Sequence, residues 1–146
     1  MPTHAEEKHS PFTAQQMYNL VADVEKYPEF LPWCMATRIK SHEDNVMIAD
    51  MVIGFKLIRE KYTSEITLIP NKQVNINYKN GPFKYLNSHW KFIEDENGGC
   101  LIDFFIDFEF KSALLQKLMG AVFNEAVHLM MSAFEKRAKE LYTASA

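Results

Sequence analysis

The chain has 146 residues, 47% of them hydrophobic and 24% charged, with a formal net charge of −3. That length suits one domain, residues 1–146, whose core needs no covalent staples. The composition excludes a disordered or collagen-like chain. The slightly acidic balance weighs against a nucleic-acid module, which needs a basic surplus to neutralise phosphates. Aromatic content is the less ordinary feature: 11 Phe, 6 Tyr and 2 Trp, with 8 Met beside them. Such side chains line apolar pockets as readily as they fill cores. Cys34 and Cys100 lack CxxC spacing, so a reducing compartment is expected. The start of the chain carries carboxylates and no apolar h-region, so neither a secretory signal nor a transit peptide is read there. No apolar run approaches the ~18 residues of a membrane span. A cytoplasmic chain is expected, with any membrane contact peripheral.

In chain order, residues 3–9 are polar and short and read as an edge strand. Ser10-Pro11 reads as an N-cap followed by proline at the first helical position. Phe12, Met17, Leu20, Val21 and Val24 continue that helix at near-helical spacing. The two prolines of Tyr27-Pro28-Glu29-Phe30-Leu31-Pro32-Trp33-Cys34 limit the next segment to a single helical turn. From about Cys34 to Phe110 the apolar period becomes two. Met47, Ala49, Met51, Ile53 and Phe55 share one face. So do Ile58, Tyr62, Ile66 and Leu68, then Val74, Ile76 and Tyr78, then Leu86, Trp90 and Phe92. The last set is Ile102, Phe104, Ile106, Phe108 and Phe110. Such alternation marks strands with one wet and one buried face. Turn residues separate them at Ser41–Asn45, Gly54, Pro70-Asn71-Lys72, Asn80-Gly81-Pro82 and Glu96–Gly99. Connections this short make neighbouring strands antiparallel.

Ser112 can cap a final helix running to about Tyr142, some ~45 Å long at 1.5 Å per residue. Leu115, Leu118, Met119, Val122, Ala126, Leu129, Met130 and Ala133 fall on one side of it. Lys117, His128, Glu135 and Lys139 fall opposite. Val127 and Met131 sit at the edge of that arc, where a dimer contact would find them. A sheet with one apolar face needs a cover, and this helix is the natural one. The expectation is an α+β domain: six to seven curved antiparallel strands, short helices after the first, and a long C-terminal helix.

This order of elements resembles the helix-grip fold of the START and polyketide-cyclase superfamily. The segment Tyr27–Cys34 is similar to the signature of the coenzyme Q-binding, START-like family of bacteria and mitochondria. Gly54-Phe55-Lys56-Leu57-Ile58-Arg59-Glu60-Lys61-Tyr62-Thr63-Ser64 resembles that family's hairpin between the third and fourth strands. Gly81-Pro82-Phe83-Lys84-Tyr85-Leu86 with the Trp90 strand resembles its next hairpin. The resemblance implies a hydrophobic tunnel between sheet and helix that holds a polyprenyl quinone. It implies a non-enzymatic role in keeping coenzyme Q working in respiration and in supporting its biosynthesis, alongside the complexes that do each. The bacterial branch also contains ribosome-association toxins, so family membership leaves that alternative open.

The residues point the same way. Expected tunnel-lining residues are Met51, Ile53, Phe55, Tyr62, Ile66, Trp90, Phe104, Phe108, Met119, Phe123 and Val127. Phe30, Leu31, Trp33, Leu57 and Phe83 are expected at the mouth. There, lysines beside aromatic rings suit a peripheral membrane contact near the inner membrane. A flat quinone with carbonyl acceptors and a greasy tail suits aromatic stacking and methionine packing, with one or two donors for its head. Arg38 and Ser88 are candidate donors, and His89 should point away from the tunnel. A pocket of ~300–1,000 Å³ cannot hold a long tail whole, so part of it is expected in the membrane, a partner or a second protomer.

No catalytic residues, metal site or cofactor are expected. His4, His9, His42, His89 and His128 are scattered, and no HxxxH, GxSxG, P-loop or dinucleotide fingerprint occurs. Glu125 and His128 stand three apart, like half of a carboxylate metal site, but read better as solvated helix residues. Asp50 is expected to be exposed. A cyclase or aromatase would need a titratable pair facing the tunnel. A ribosome-binding protein would need a basic tract, for which Arg59, Lys61, Lys79, Lys84 and Lys91 are the candidates. Lipid carriage ranks first, translation interference second and enzymatic activity third.

Overall fold

The computed structural model describes residues 3–55, 58–96 and 98–142. Strand β1 (Thr3–Ser10) is followed by α1 (Ala14–Ala22), a 3₁₀ turn at Val24–Lys26 and the one-turn α2 (Tyr27–Phe30). Six strands follow: β2 (Cys34–Glu43), β3 (Val46–Phe55), β4 (Ile58–Ile69), β5 (Gln73–Asn80), β6 (Phe83–Glu94) and β7 (Cys100–Phe110). The chain then enters α3 (Ala113–Tyr142). All seven strands form one antiparallel sheet in the order β1-β7-β6-β5-β4-β3-β2. β1 is an edge strand, as its polar sequence implies. This is the α+β helix-grip architecture. No helix among the described residues is long and apolar enough to cross a membrane.

Alternation sets the two faces of the sheet. Met47 and Ala49 of β3, Ile66 and Leu68 of β4, Val74 of β5, Leu86, Trp90 and Phe92 of β6, and Phe104, Phe108 and Phe110 of β7 are all buried. The register aligns them across strands: Met47 faces Ile66, Val74 faces Trp90, and Trp90 faces Phe104. The opposite face carries the polar partners, including His89, which stacks on Phe105 and lies 3.6 Å from Asp103. Arg38 is exposed on that face, opposite Asp50 in register.

The structure corrects several details. The cap of α1 is Thr13, not Ser10. Thr13 Oγ1 accepts from Gln16 N at 3.0 Å, and Gln16 Oε1 accepts from Thr13 N at 2.9 Å, a reciprocal capping box. Ser10 ends β1, and its hydroxyl accepts from Phe12 N instead. Asp50 is buried rather than exposed, because Thr63 donates to its carboxylate and Lys61 reaches within 3.8 Å. The expectations for Lys56, Leu57 and Asn97 lie outside the described residues.

The largest correction concerns α3. Its buried residues are Met119, Phe123, Val127, Met130, Met131, Phe134 and Ala138. Leu115, Leu118, Val122, Ala126, Leu129 and Ala133 are only half-buried. The inward face is therefore turned by about one residue, ~100°, from the arc with the most apolar positions. Counting positions gives Ala the weight of Phe, whereas burial rewards apolar area. The turned face buries both Phe123 and Phe134. Val127 and Met131 are interior and unavailable for a dimer contact.

The ends of α3 are held differently. Near its C-terminal end, Phe134 packs against Tyr27, Phe30 and Trp90 with ring centroids 5.6, 5.2 and 5.0 Å apart. Arg137 pairs with Glu29 at 2.8 Å and lies over the Phe30 ring. Helices α1 and α2 thus pack into the sheet's concavity at that end. Near the start of α3, Ser112 Oγ accepts from Leu115 N, as expected of a cap, and among the described residues α3 faces the sheet strands there directly.

Candidate functional site

Beneath the first half of α3 lies a cavity of about 110 Å³. Its walls come from Trp33 before β2, Ile53 and Phe55 of β3, Ile58 and Tyr62 of β4, and Phe83 and Leu86 of β6. Ile106, Phe108 and Phe110 of β7 and Met119, Phe123, Ala126, Val127 and Met130 of α3 complete it. Phe83 is the centre of the aromatic wall. It stacks on Phe110 at 4.6 Å and meets the edges of Tyr62, Tyr78 and Phe108 at 5.3, 5.5 and 5.7 Å. Gly81 makes this possible: it has φ +144°, and a Cβ there would come within 2.8 Å of Tyr62 Cβ. Only glycine allows the β5–β6 turn to approach β4 so closely.

Polar atoms in this wall are few. The Tyr62 hydroxyl donates to Met51 Sδ at 3.4 Å, a weak acceptor. Burial pushes the Tyr62 phenol above its ordinary range, so it keeps its proton at neutral pH. Trp33 is fixed through its backbone, where its carbonyl accepts from Gly54 N at 2.9 Å. Its indole Nε1 is buried without a hydrogen-bond partner. Among the described lining residues, Tyr62 is the titratable group, and no carboxylate, imidazole or cation joins it.

Seven of the eleven expected lining residues meet here: Ile53, Phe55, Tyr62, Phe108, Met119, Phe123 and Val127. Four do not. Met51 stands behind Tyr62 as its sulfur acceptor, and Ile66 is packed in the core. Trp90 and Phe104 pack on each other at 4.5 Å, toward the end that α1 and α2 fill. Of the expected mouth residues, Trp33 and Phe83 line the cavity. Phe83 is only 2% exposed, so it is a wall and not a membrane-facing tip. Leu31 is buried, and Phe30 meets Phe134 edge-on at the opposite end. Both are displaced because the Tyr27–Phe30 turn tucks under α3 rather than standing out. Leu57 lies outside the described residues.

Sequence reasoning missed Ile58, Leu86, Ile106, Phe110, Ala126 and Met130, though each belongs to an alternating or helical set already visible. Ser88 is spent as a donor to the Phe105 carbonyl at 2.7 Å. Burial pushes the Cys34 and Cys100 thiols up to about 11, so neither is a ready thiolate. No group of three or more potential metal ligands occurs among the described residues. His128 is exposed. An open groove adjoins the cavity, sharing Phe110 and Phe123 with it and carrying Lys84, Lys111 and Lys117.

A curved sheet gripping one long helix over an apolar cavity defines a class of small-molecule binding domains. Residues 10–135 match the model of the family described as polyketide cyclase / dehydrase and lipid transport, and the chain belongs to that family. It is 42% identical to the ribosome association toxin RatA of Rickettsia prowazekii, over 90% of this chain and 92% of that one. It is 38% identical to the mitochondrial coenzyme Q-binding protein COQ10 homolog B of Xenopus laevis, over 95% of this chain and 59% of that one. The solution structure of the 18 kDa protein CC1736 from Caulobacter crescentus superposes with a TM-score of 0.80 at 32% identity, covering 98% of this chain and 99% of that one. A START superfamily protein from Mycobacterium smegmatis has a TM-score of 0.78 at 16% identity, covering 95% of this chain and 98% of that one, a likeness of fold alone.

Proposed function

We propose that this chain binds a polyprenyl quinone of the coenzyme Q type and carries it without altering it, in support of respiration and quinone biosynthesis. The observation that carries this reading is the aromatic and methionine-walled cavity under α3, which suits a flat apolar ring. The likeness to a coenzyme Q-binding protein over 95% of the chain supports it. The same wall argues against a cyclase or aromatase, since acid–base work needs titratable groups at the reacting atoms.

The volume sets the mode of binding. A cavity of about 110 Å³ is below the ~150 Å³ of an engineered site that admits benzene. It is well below the ~300–1,000 Å³ of most ligand pockets. Loading therefore requires α3 to part from the sheet at its first half. The tail then stays largely outside, in a membrane, a partner complex or a second protomer. Lys111 and Lys117 of the adjoining groove would face anionic headgroups at a peripheral membrane contact.

A second reading, association with the ribosome, is favoured by the 42% identity to a ribosome association toxin. The charges of the expected basic tract weigh against RNA contact there. Lys61 faces Asp50 at 3.8 Å, Lys79 faces Glu65 at 3.6 Å and Lys84 faces Glu109 at 2.7 Å. Organic extraction of the purified protein followed by mass spectrometry tests the proposal, and a polyprenyl quinone near one per chain is expected. Absence of any isoprenoid, with salt-dependent co-sedimentation on ribosomal subunits, would replace it by the second reading.

A further inference from the structure

We infer that the indole N–H of Trp33 is the donor that fixes a carbonyl oxygen of the bound ligand, with the Tyr62 hydroxyl as its second contact. This deepens the quinone reading and rests on it. Leaving a donor buried and unpaired destabilises the fold, and a phenylalanine would fill apolar space with no such cost. Yet Trp33 Nε1 is sealed from solvent with no acceptor, on a side chain that lines the cavity. The second donor is only loosely held. The Tyr62 hydroxyl donates a hydrogen bond to Met51 Sδ at 3.4 Å, and a carbonyl oxygen is a much better acceptor than a thioether.

The inventory is one-sided. The described side chains of this wall offer two N–H or O–H donors, and no oxygen acceptor apart from the Tyr62 hydroxyl itself. Such a site rewards a ligand that brings acceptors and no charge. A carboxylate or ammonium would lose its hydration without an ion to replace it. Neutral carbonyl compounds fit: a quinone first, then ketones and esters. A hydrocarbon of the same shape would gain the apolar burial but leave Trp33 unpaired.

Indole N–H resonances give a direct readout, because the chain has 2 Trp and Trp33→Phe assigns them. The probes are decylubiquinone and decylbenzene, which share a flat six-membered ring and a decyl tail, the second lacking every oxygen acceptor. Decylubiquinone should move the Trp33 indole proton downfield and leave that of Trp90 in place. Decylbenzene should perturb the cavity's backbone signals without that downfield shift. Trp33→Phe should weaken decylubiquinone about five-fold and leave decylbenzene unchanged. A stationary Trp33 proton with decylubiquinone demonstrably in the cavity would overturn the donor assignment and leave the quinone reading intact. Equal weakening of both probes by Trp33→Phe would do the same, since only packing would then have been lost. If neither probe perturbs the cavity, the quinone reading falls and the donor assignment with it.

Discussion

The two halves of α3 cover the same sheet with opposite results. In the second half, Met131, Phe134 and Ala138 are buried, and ring contacts of 5.0–5.6 Å hold Phe134 against Tyr27, Phe30 and Trp90, with a separate groove along β1 on its other side. In the first half, Met119, Phe123 and Val127 are buried too, yet they enclose a cavity. The side chains are of the same kinds. The difference is that two short helices pack into the concavity at one end, whereas among the described residues the walls at the other come from the sheet, Trp33 and α3. A single cylinder cannot fill a curved sheet, so hollow space follows from topology rather than from unusual residues.

That contrast is sharpest in large-to-small substitutions. Phe134→Ala should cost about 3–5 kcal/mol in urea unfolding, as expected of a buried aromatic held by three ring neighbours. Phe123→Ala should cost about 1–2 kcal/mol less, because its ring already borders empty space. Equal costs would mean that the two ends are equally packed.

Small-to-large substitutions should show the reverse. Ala138 is fully buried, and Ala138→Leu should destabilise by about 1–3 kcal/mol through overpacking. Ala126→Leu, which points its added carbons at the cavity, should shift stability by less than about 1 kcal/mol. It should also cut recovery of co-purifying lipid about ten-fold. Gly120, on the groove side of the hollow half, has open space where a Cβ would stand. Gly120→Ala should therefore raise stability by about 0.5–1 kcal/mol, read as a higher urea midpoint.

A smaller effect comes from the buried thiols. Folding raises the Cys34 and Cys100 pKa values to about 11, chiefly by burial. Raised values mean that folding favours the protonated form. Their contribution is complete below the unfolded thiol value of about 8.5 and is lost as pH rises toward about 11. The urea midpoint should fall between about pH 8 and 10, and Cys34→Ala with Cys100→Ala should flatten that slope.

The strands were legible in the sequence because a period of two is a local property. Met47, Ile66, Val74, Trp90 and Phe104 announce their face without knowledge of their neighbours. The inward face of α3 was not, since two adjacent arcs are both apolar and tertiary burial of Phe123 and Phe134 chooses between them. Cavity residues were partly legible for the same reason. Ile53, Phe108 and Met119 show by pattern that they face inward, but whether an inward residue meets a neighbour or a void depends on where α1 and α2 end. Trp90 and Phe104 show the same pattern, yet they pack on each other outside the cavity lining. The unpaired indole of Trp33 had no sequence signal, because the absence of an acceptor is a fact about every residue around it.

Methyl NMR on methionine-labelled protein titrated with decylubiquinone tests the central claim most directly. Met119 and Met130 line the cavity, whereas Met17 and Met131 are buried in the half packed by α1 and α2, beside a separate groove along β1. The account predicts that the Met119 and Met130 methyl signals move and saturate together while those of Met17 and Met131 stay put. Movement confined to the packed half, or no movement at all, would contradict it.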